Sequence, residues 1–113
     1  MKEMDAGAGG ITDHEISVTV DAYSTPANAA AGFAWYRAFP QAAEQNRAFM
    51  ETPLEMPVLG LSAGRLAPFA YVLQMMEPLA TTVEGQALDS GHWIPETRPE
   101  ELSGLLDDFF SRH

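Results

Sequence analysis

Cysteine is absent from the 113 residues. The chain therefore has no disulfide framework and no thiolate ligand for zinc, and thiol redox chemistry is excluded. Basic residues are scarce as well: six Lys and Arg stand against sixteen Asp and Glu, a formal charge of −10. A surface field of that sign repels polyphosphate, so nucleic acid is not expected as a partner. No apolar run approaches the roughly 20 residues that a membrane helix requires, which excludes a membrane-spanning helix. The first ten residues carry Gly7, Gly9 and Gly10 but no apolar stretch, so they lack the core of a secretory signal. The three histidines, His14, His92 and His113, do not fall at metal-ligand spacing, and neither a metal nor a cofactor is expected. These absences together lead to the expectation of a cytoplasmic protein.

What is present suits one packed domain: 46% of the residues are hydrophobic and 19% charged. Residues 1–10 read as a flexible leader, since the glycines raise the entropy of ordering it. Thr12 and Glu15 stand at capping-box spacing, with Ile11 and Ile16 at the staple positions, so a helix is expected over 13–22. The alternation of Ile16, Val18 and Val20 argues for a strand instead, and the cap decides between them. Thr25 and Pro26 open a second helix to about Phe39, and Pro40 opens a third through Met50. Residues 11–52 are thus a helical segment without a sheet.

The texture changes where Pro53 and Pro57 force an extended path. Val58-Leu59-Gly60-Leu61 reads as a strand buried on both faces, Phe69 to Leu79 as a helix, and Thr81 to Leu88 as a second strand. A strand, a helical crossover and a strand make a βαβ unit with parallel strands. Met75 and Met76 are expected to fill core space under that helix. Leu102, Leu105, Leu106 and Phe109 complete the template of a final amphipathic helix, with Thr97 as its cap. Residues 53–113 are therefore an α/β segment. Two strands and one crossover leave an open sheet edge, through which self-association or a partner chain is expected.

Between the second strand and the last helix lies Asp89-Ser90-Gly91-His92-Trp93-Ile94-Pro95-Glu96-Thr97-Arg98. A histidine just past the carboxyl end of a parallel strand stands where α/β sheets collect reactive groups. Gly91 is expected to permit a tight turn and Trp93 to anchor the loop. On helical spacing alone, Tyr36 packs with Phe33 and Phe39, and His14 and His113 are solvated and disordered surface residues respectively.

The order Ser90-Gly91-His92-Trp93-Ile94-Pro95-Glu96, then Arg98-Pro99-Glu100-Glu101-Leu102 and Phe109-Phe110, resembles the histidine loop and last helix of α/β-hydrolases related to epoxide hydrolases and to haloalkane and haloacid dehalogenases. Met56-Pro57-Val58-Leu59-Gly60-Leu61 is similar to that family's penultimate core strand. Phe33-Ala34-Trp35-Tyr36-Arg37-Ala38-Phe39 resembles the Trp-Tyr-Arg segment of its cap domain. The three matches are collinear from about Ile11 to Arg112. The resemblance implies the C-terminal part of an α/β-hydrolase fold, a helical cap segment followed by a βαβ-α unit. It implies His92 as general base, Tyr36 as the hydroxyl that polarises an epoxide oxygen, and Trp35 and Trp93 beside a small-molecule substrate. The family's nucleophile elbow, a Gly-x-Asp-x-Gly or Gly-x-Ser-x-Gly turn, has no counterpart in this sequence, nor does the His-Gly-x-Pro oxyanion segment. Ser62-Ala63-Gly64-Arg65 offers no carboxylate where many relatives have one, and Asp89 is expected to shape the turn rather than orient the histidine. A hydrolase that is inactive as this chain alone is one expectation. The alternative is a non-catalytic remnant or interaction module that complements another chain, and a third is a small α/β domain of chance similarity.

Overall fold

A computed structural model describes Asp5 and residues 7–113. These divide into two compact units: Thr12–Thr52, and Pro53–His113 together with the described residues up to Ile11. The dividing point falls at the proline-bearing stretch.

The first unit consists of α1 (Asp13–Ala22), α2 (Pro26–Arg37) and α3 (Phe39–Phe49). At the start of α1 the capping box is complete, with the Glu15 amide donating to Thr12 Oγ1 at 3.2 Å and the Thr12 amide to Glu15 Oε2 at 2.6 Å. Two otherwise orphaned donors are satisfied there, which outweighs the strand-like alternation of the β-branched residues. Thr25 caps α2 through the Asn28 amide, and Pro26 fills the first turn. That helix ends at Arg37, two residues earlier than expected. Ala38 alone separates α2 from α3, and Pro40 lies in the first turn of α3, where its missing N–H costs nothing. None of the three helices contains a buried residue.

In the second unit β1 (Val58–Ala63) and β2 (Val83–Leu88) pair in parallel, in register from Val58↔Val83 to Ala63↔Leu88. A parallel bridge between Leu54 and Ala80 extends the ribbon at its amino end. The crossover is α4 (Phe69–Met76), which stops short of Leu79 because Pro78 has no N–H to carry the helix on. α4 packs on both strands, and the space above Gly60 is filled by Val72 and Phe69. Gly85 is held at φ +147°, and a Cβ there would fall on the Gly60 carbonyl, so this crossing point admits glycine alone.

Expectations of burial are corrected here. Only Gly60 and Ser62 of β1 are buried, while Val58, Leu59 and Leu61 are half-buried, because no third strand pairs with the ribbon among the described residues. Met75 is exposed rather than a core filler, since it lies on the side of α4 turned away from the strands. The buried apolar residues are Ala80, Leu88 and Phe109. A short α5 (Ile94–Thr97), which the sequence did not announce, precedes α6 (Pro99–Arg112). α6 buries Phe109 and half-buries Leu102, Leu105 and Leu106, as the spacing predicts. Its cap is Arg98 without a side-chain bond, not Thr97, whose hydroxyl is engaged inside the preceding loop. No helix among the described residues is long and apolar enough to cross a membrane.

Candidate functional site

The segment from Asp89 to Arg98 leaves the carboxyl end of β2 at a fixed point. The Gly64 amide donates to the Leu88 carbonyl at 2.8 Å, and the Arg65 amide donates to the Ser90 carbonyl at 3.1 Å. The ends of both strands are thereby tied together before the loop begins. Leu88 and Ser90 are fully buried.

From there the loop is closed on itself by two buried hydroxyls. Ser90 Oγ lies 2.6 Å from Thr97 Oγ1, the Thr97 hydroxyl donates to the Trp93 carbonyl at 2.7 Å, and the Ser90 hydroxyl reaches the Gly91 carbonyl at 2.8 Å. Two hydroxyl protons serve three contacts, so at any instant one of the three is unmade. His92 sits at the outside of this closed loop, four residues beyond Leu88, and is exposed. Its ring meets Trp93 edge-on, with centroids 4.8 Å apart and planes at 90°. Trp93 is half-buried and anchors the loop.

Asp89 does not orient that ring. Arg65 Nε donates to its Oδ1 at 2.7 Å and Arg65 Nη2 to its Oδ2 at 3.0 Å, with Arg98 3.6 Å away. The Arg65 hydrogen bonds, and the charges of Arg65 and Arg98, hold its carboxyl below the ordinary carboxylate range. Asp89 thus fastens the loop to the turn after β1. Arg65 serves the same task from the turn after β1.

Gly91 is not a turn glycine: its φ is not positive. It is needed because a Cβ would meet the main chain of Asp5. Asp5 is only 7% exposed, although it lies in the segment expected to be loose. Gly10 approaches the other end of the loop, where a Cβ would stand 3.1 Å from Thr97 Cα and 3.2 Å from the Glu96 carbonyl. Thr97, expected to cap the last helix, Ser90, within the histidine-loop match, and Asp5, within the leader, all have buried roles that escape the sequence reading. Single polar residues in a loop and a leader form no motif, and only burial reveals them.

Trp35 and Tyr36 belong to α2 in the other unit, and both are exposed, at 71% and 66%. Tyr36 packs at 5.4 Å against Phe39, and both Trp35 and Tyr36 line an apolar groove of about 920 Å³ with Tyr23, Gly32 and Phe33. His113, expected to be disordered, lies 2.8 Å from Glu84 Oε1, with Arg112 on the other carboxylate oxygen at 2.9 Å. No group of three or more His, Asp or Glu side chains among the described residues is arranged to hold a metal ion.

No protein-family model matches the chain, and no curated protein matches it. Among solved structures it is similar to the crystal structure of wild-type Cfl2 from Burkholderia cenocepacia, with a TM-score of 0.77 and 28% identity. The match covers 96% of this chain and 37% of that one, so this chain spans little more than a third of the length of the structure it resembles.

Proposed function

We propose that the chain is the C-terminal part of an α/β-hydrolase of the epoxide hydrolase and dehalogenase kind, with His92 as its general base. The observation that carries this reading is the placement of His92: exposed, just past the carboxyl end of a parallel strand, on a loop pinned by buried hydroxyls. That is the position where parallel sheets present reactive groups. Cfl2, which this chain resembles over 96% of its length while spanning 37% of Cfl2, carries a similar arrangement within a longer polypeptide. A longer polypeptide would have room for the elbow and oxyanion segments that this sequence lacks.

In this reading a carboxylate outside the described chain attacks the carbon of an epoxide or C–halogen bond and forms a covalent ester as the ring oxygen or halide leaves. Alternatively, a serine there attacks the carbonyl carbon of an ester and forms an acyl ester as the alcohol leaves. With an epoxide, the ring oxygen departs as an alkoxide and takes a proton from the Tyr36 hydroxyl. His92 then accepts a proton from water, the hydroxide adds to the ester carbonyl, and cleavage returns the carboxylate and releases the diol, whose second hydroxyl takes the proton of the added hydroxide. The proton on His92 passes to solvent, and the Tyr36 oxygen regains one from solvent. The resemblance gives Trp35 and Trp93 as residues beside a small-molecule substrate. A cytoplasmic location goes with this reading.

The test is a protein in which this chain is joined to an elbow-bearing core encoded in frame upstream. Turnover of an epoxide, ester or haloacid is expected, and His92→Gln should slow it by on the order of 10²–10⁴, with the covalent ester accumulating in the mass spectrum. Normal turnover by that variant would remove His92 from the mechanism.

A second reading, an interaction module that complements another chain, is favoured by the lack of any buried residue in α1, α2 and α3. The partner in that case is a polypeptide that supplies the missing sheet and covers these helices. The chain alone then has no hydrolase turnover and gains none when the elbow-bearing core is added.

A further inference from the structure

Asp5 and Gly10 approach the histidine loop at its two ends. At the near end the main chain of Asp5 lies so close to Gly91 that no side chain could stand there. At the far end Gly10 lies against Glu96 and Thr97. Between them a Cβ at Gly7 would stand 3.8 Å from Arg65 Nη1, on the residue that grips Asp89. The shape of this segment is set by Asp5 itself. Its carbonyl accepts from the Ala8 amide at 2.9 Å, and its carboxylate Oδ2 accepts from the Gly9 amide at 2.8 Å, closing a tight turn. Side-chain acceptance of this kind is how an aspartate fixes a turn that glycines alone would leave open. The other oxygen, Oδ1, is buried with no hydrogen-bond partner among the described residues. A buried, half-satisfied carboxylate is costly, so the turn it closes must offset that cost.

We infer that Asp5 and residues 7–10 form a strap over the histidine loop, with Asp5 as the positioning residue that holds His92 in place through Gly91. The proposal rests on the hydrolase reading for what the loop does, but not for how the loop is held. The strap works by its turn and not by charge. An asparagine at position 5 offers the same acceptor to Gly9 without a buried charge, whereas alanine offers none.

Amide hydrogen exchange on the whole 113-residue chain tests this. In the loop, the Ser90, Thr97 and Arg98 amides are hydrogen-bonded, and the β1–β2 amides serve as an internal control. Asp5→Ala is expected to speed exchange at the three loop amides by on the order of tenfold while the strand amides keep their protection. Asp5→Asn is expected to keep the loop protected. Unchanged loop exchange in Asp5→Ala overturns the strap, and so does a loss of protection in Asp5→Asn equal to that in Asp5→Ala. If Asp5→Ala unprotects strands and loop alike, Gly91→Ala decides the matter. It pushes the strap off without altering the turn, and a loop that stays protected in that variant also overturns the proposal. Should the strap hold while His92→Gln leaves turnover intact in the joined enzyme, the hydrolase reading falls and the strap stands.

Discussion

A histidine gains a role from what holds it, and around His92 no acid bonds the ring itself: the loop beneath it is closed by a pair of buried hydroxyls. Thr97→Val keeps the shape of the side chain but leaves Ser90 Oγ with one partner fewer inside a dry loop. We expect a loss of about 1–3 kcal/mol, read from urea unfolding. Ser90→Ala should be cheaper, because it leaves Thr97 with its bond to the Trp93 carbonyl. The sequence made His92 and Trp93 legible, since a Gly-His-Trp run after a strand is a recognisable pattern. It left the hydroxyl pair unread, because Thr97 fits equally well as the cap of the following helix. The choice between cap and loop lock depends on which donors and acceptors are buried nearby, and no local pattern carries that information.

Elements were read more securely where one local interaction dominated. The Thr12–Glu15 box settled α1, and Phe109 with its three leucines settled α6. The half-buried state of β1 was not legible, because a run of Val, Leu, Gly and Leu says only that cover is wanted. The crossing of Gly60 and Gly85 is sharply specified, however. Gly85→Ala should add about 1–3 kcal/mol of backbone strain before the clash with the Gly60 carbonyl is counted. Strand-paired amides lost from the NMR spectrum at ordinary temperature would report it. The tie between α6 and β2 is a matter of pH. The Arg112 hydrogen bond, followed by that of His113, lowers the Glu84 pKa from its model-compound value of 4.5. A group whose folded pKa is depressed adds stability above its unfolded pKa and loses it as pH falls through the folded one. Acid unfolding should therefore be shallower below about pH 4.5 in Glu84→Gln than in the parent. The effect is expected to be small, as for other solvent-facing ion pairs.

At the level of the molecule, burial is incomplete. Phe33, Trp35, Tyr36 and Phe49 all stand at least 64% exposed, and β1 and β2 form a ribbon of two strands. Exposed aromatic surface on that scale favours contact with another apolar surface, while the charge of −10 opposes self-contact. Adding salt should shift the balance, because screening weakens the repulsion and leaves the apolar attraction. Sedimentation velocity at rising ionic strength should show growing association, and a sharp monomer boundary throughout would contradict it. The bare faces of α1, α2 and α3 also change what a melting experiment means. Any copy or partner that settles on them binds the folded form and not the unfolded one, so mass action raises the melting temperature with concentration. With such a surface in place, heat resistance would belong to the solution as much as to the polypeptide, and dilution alone would lower it.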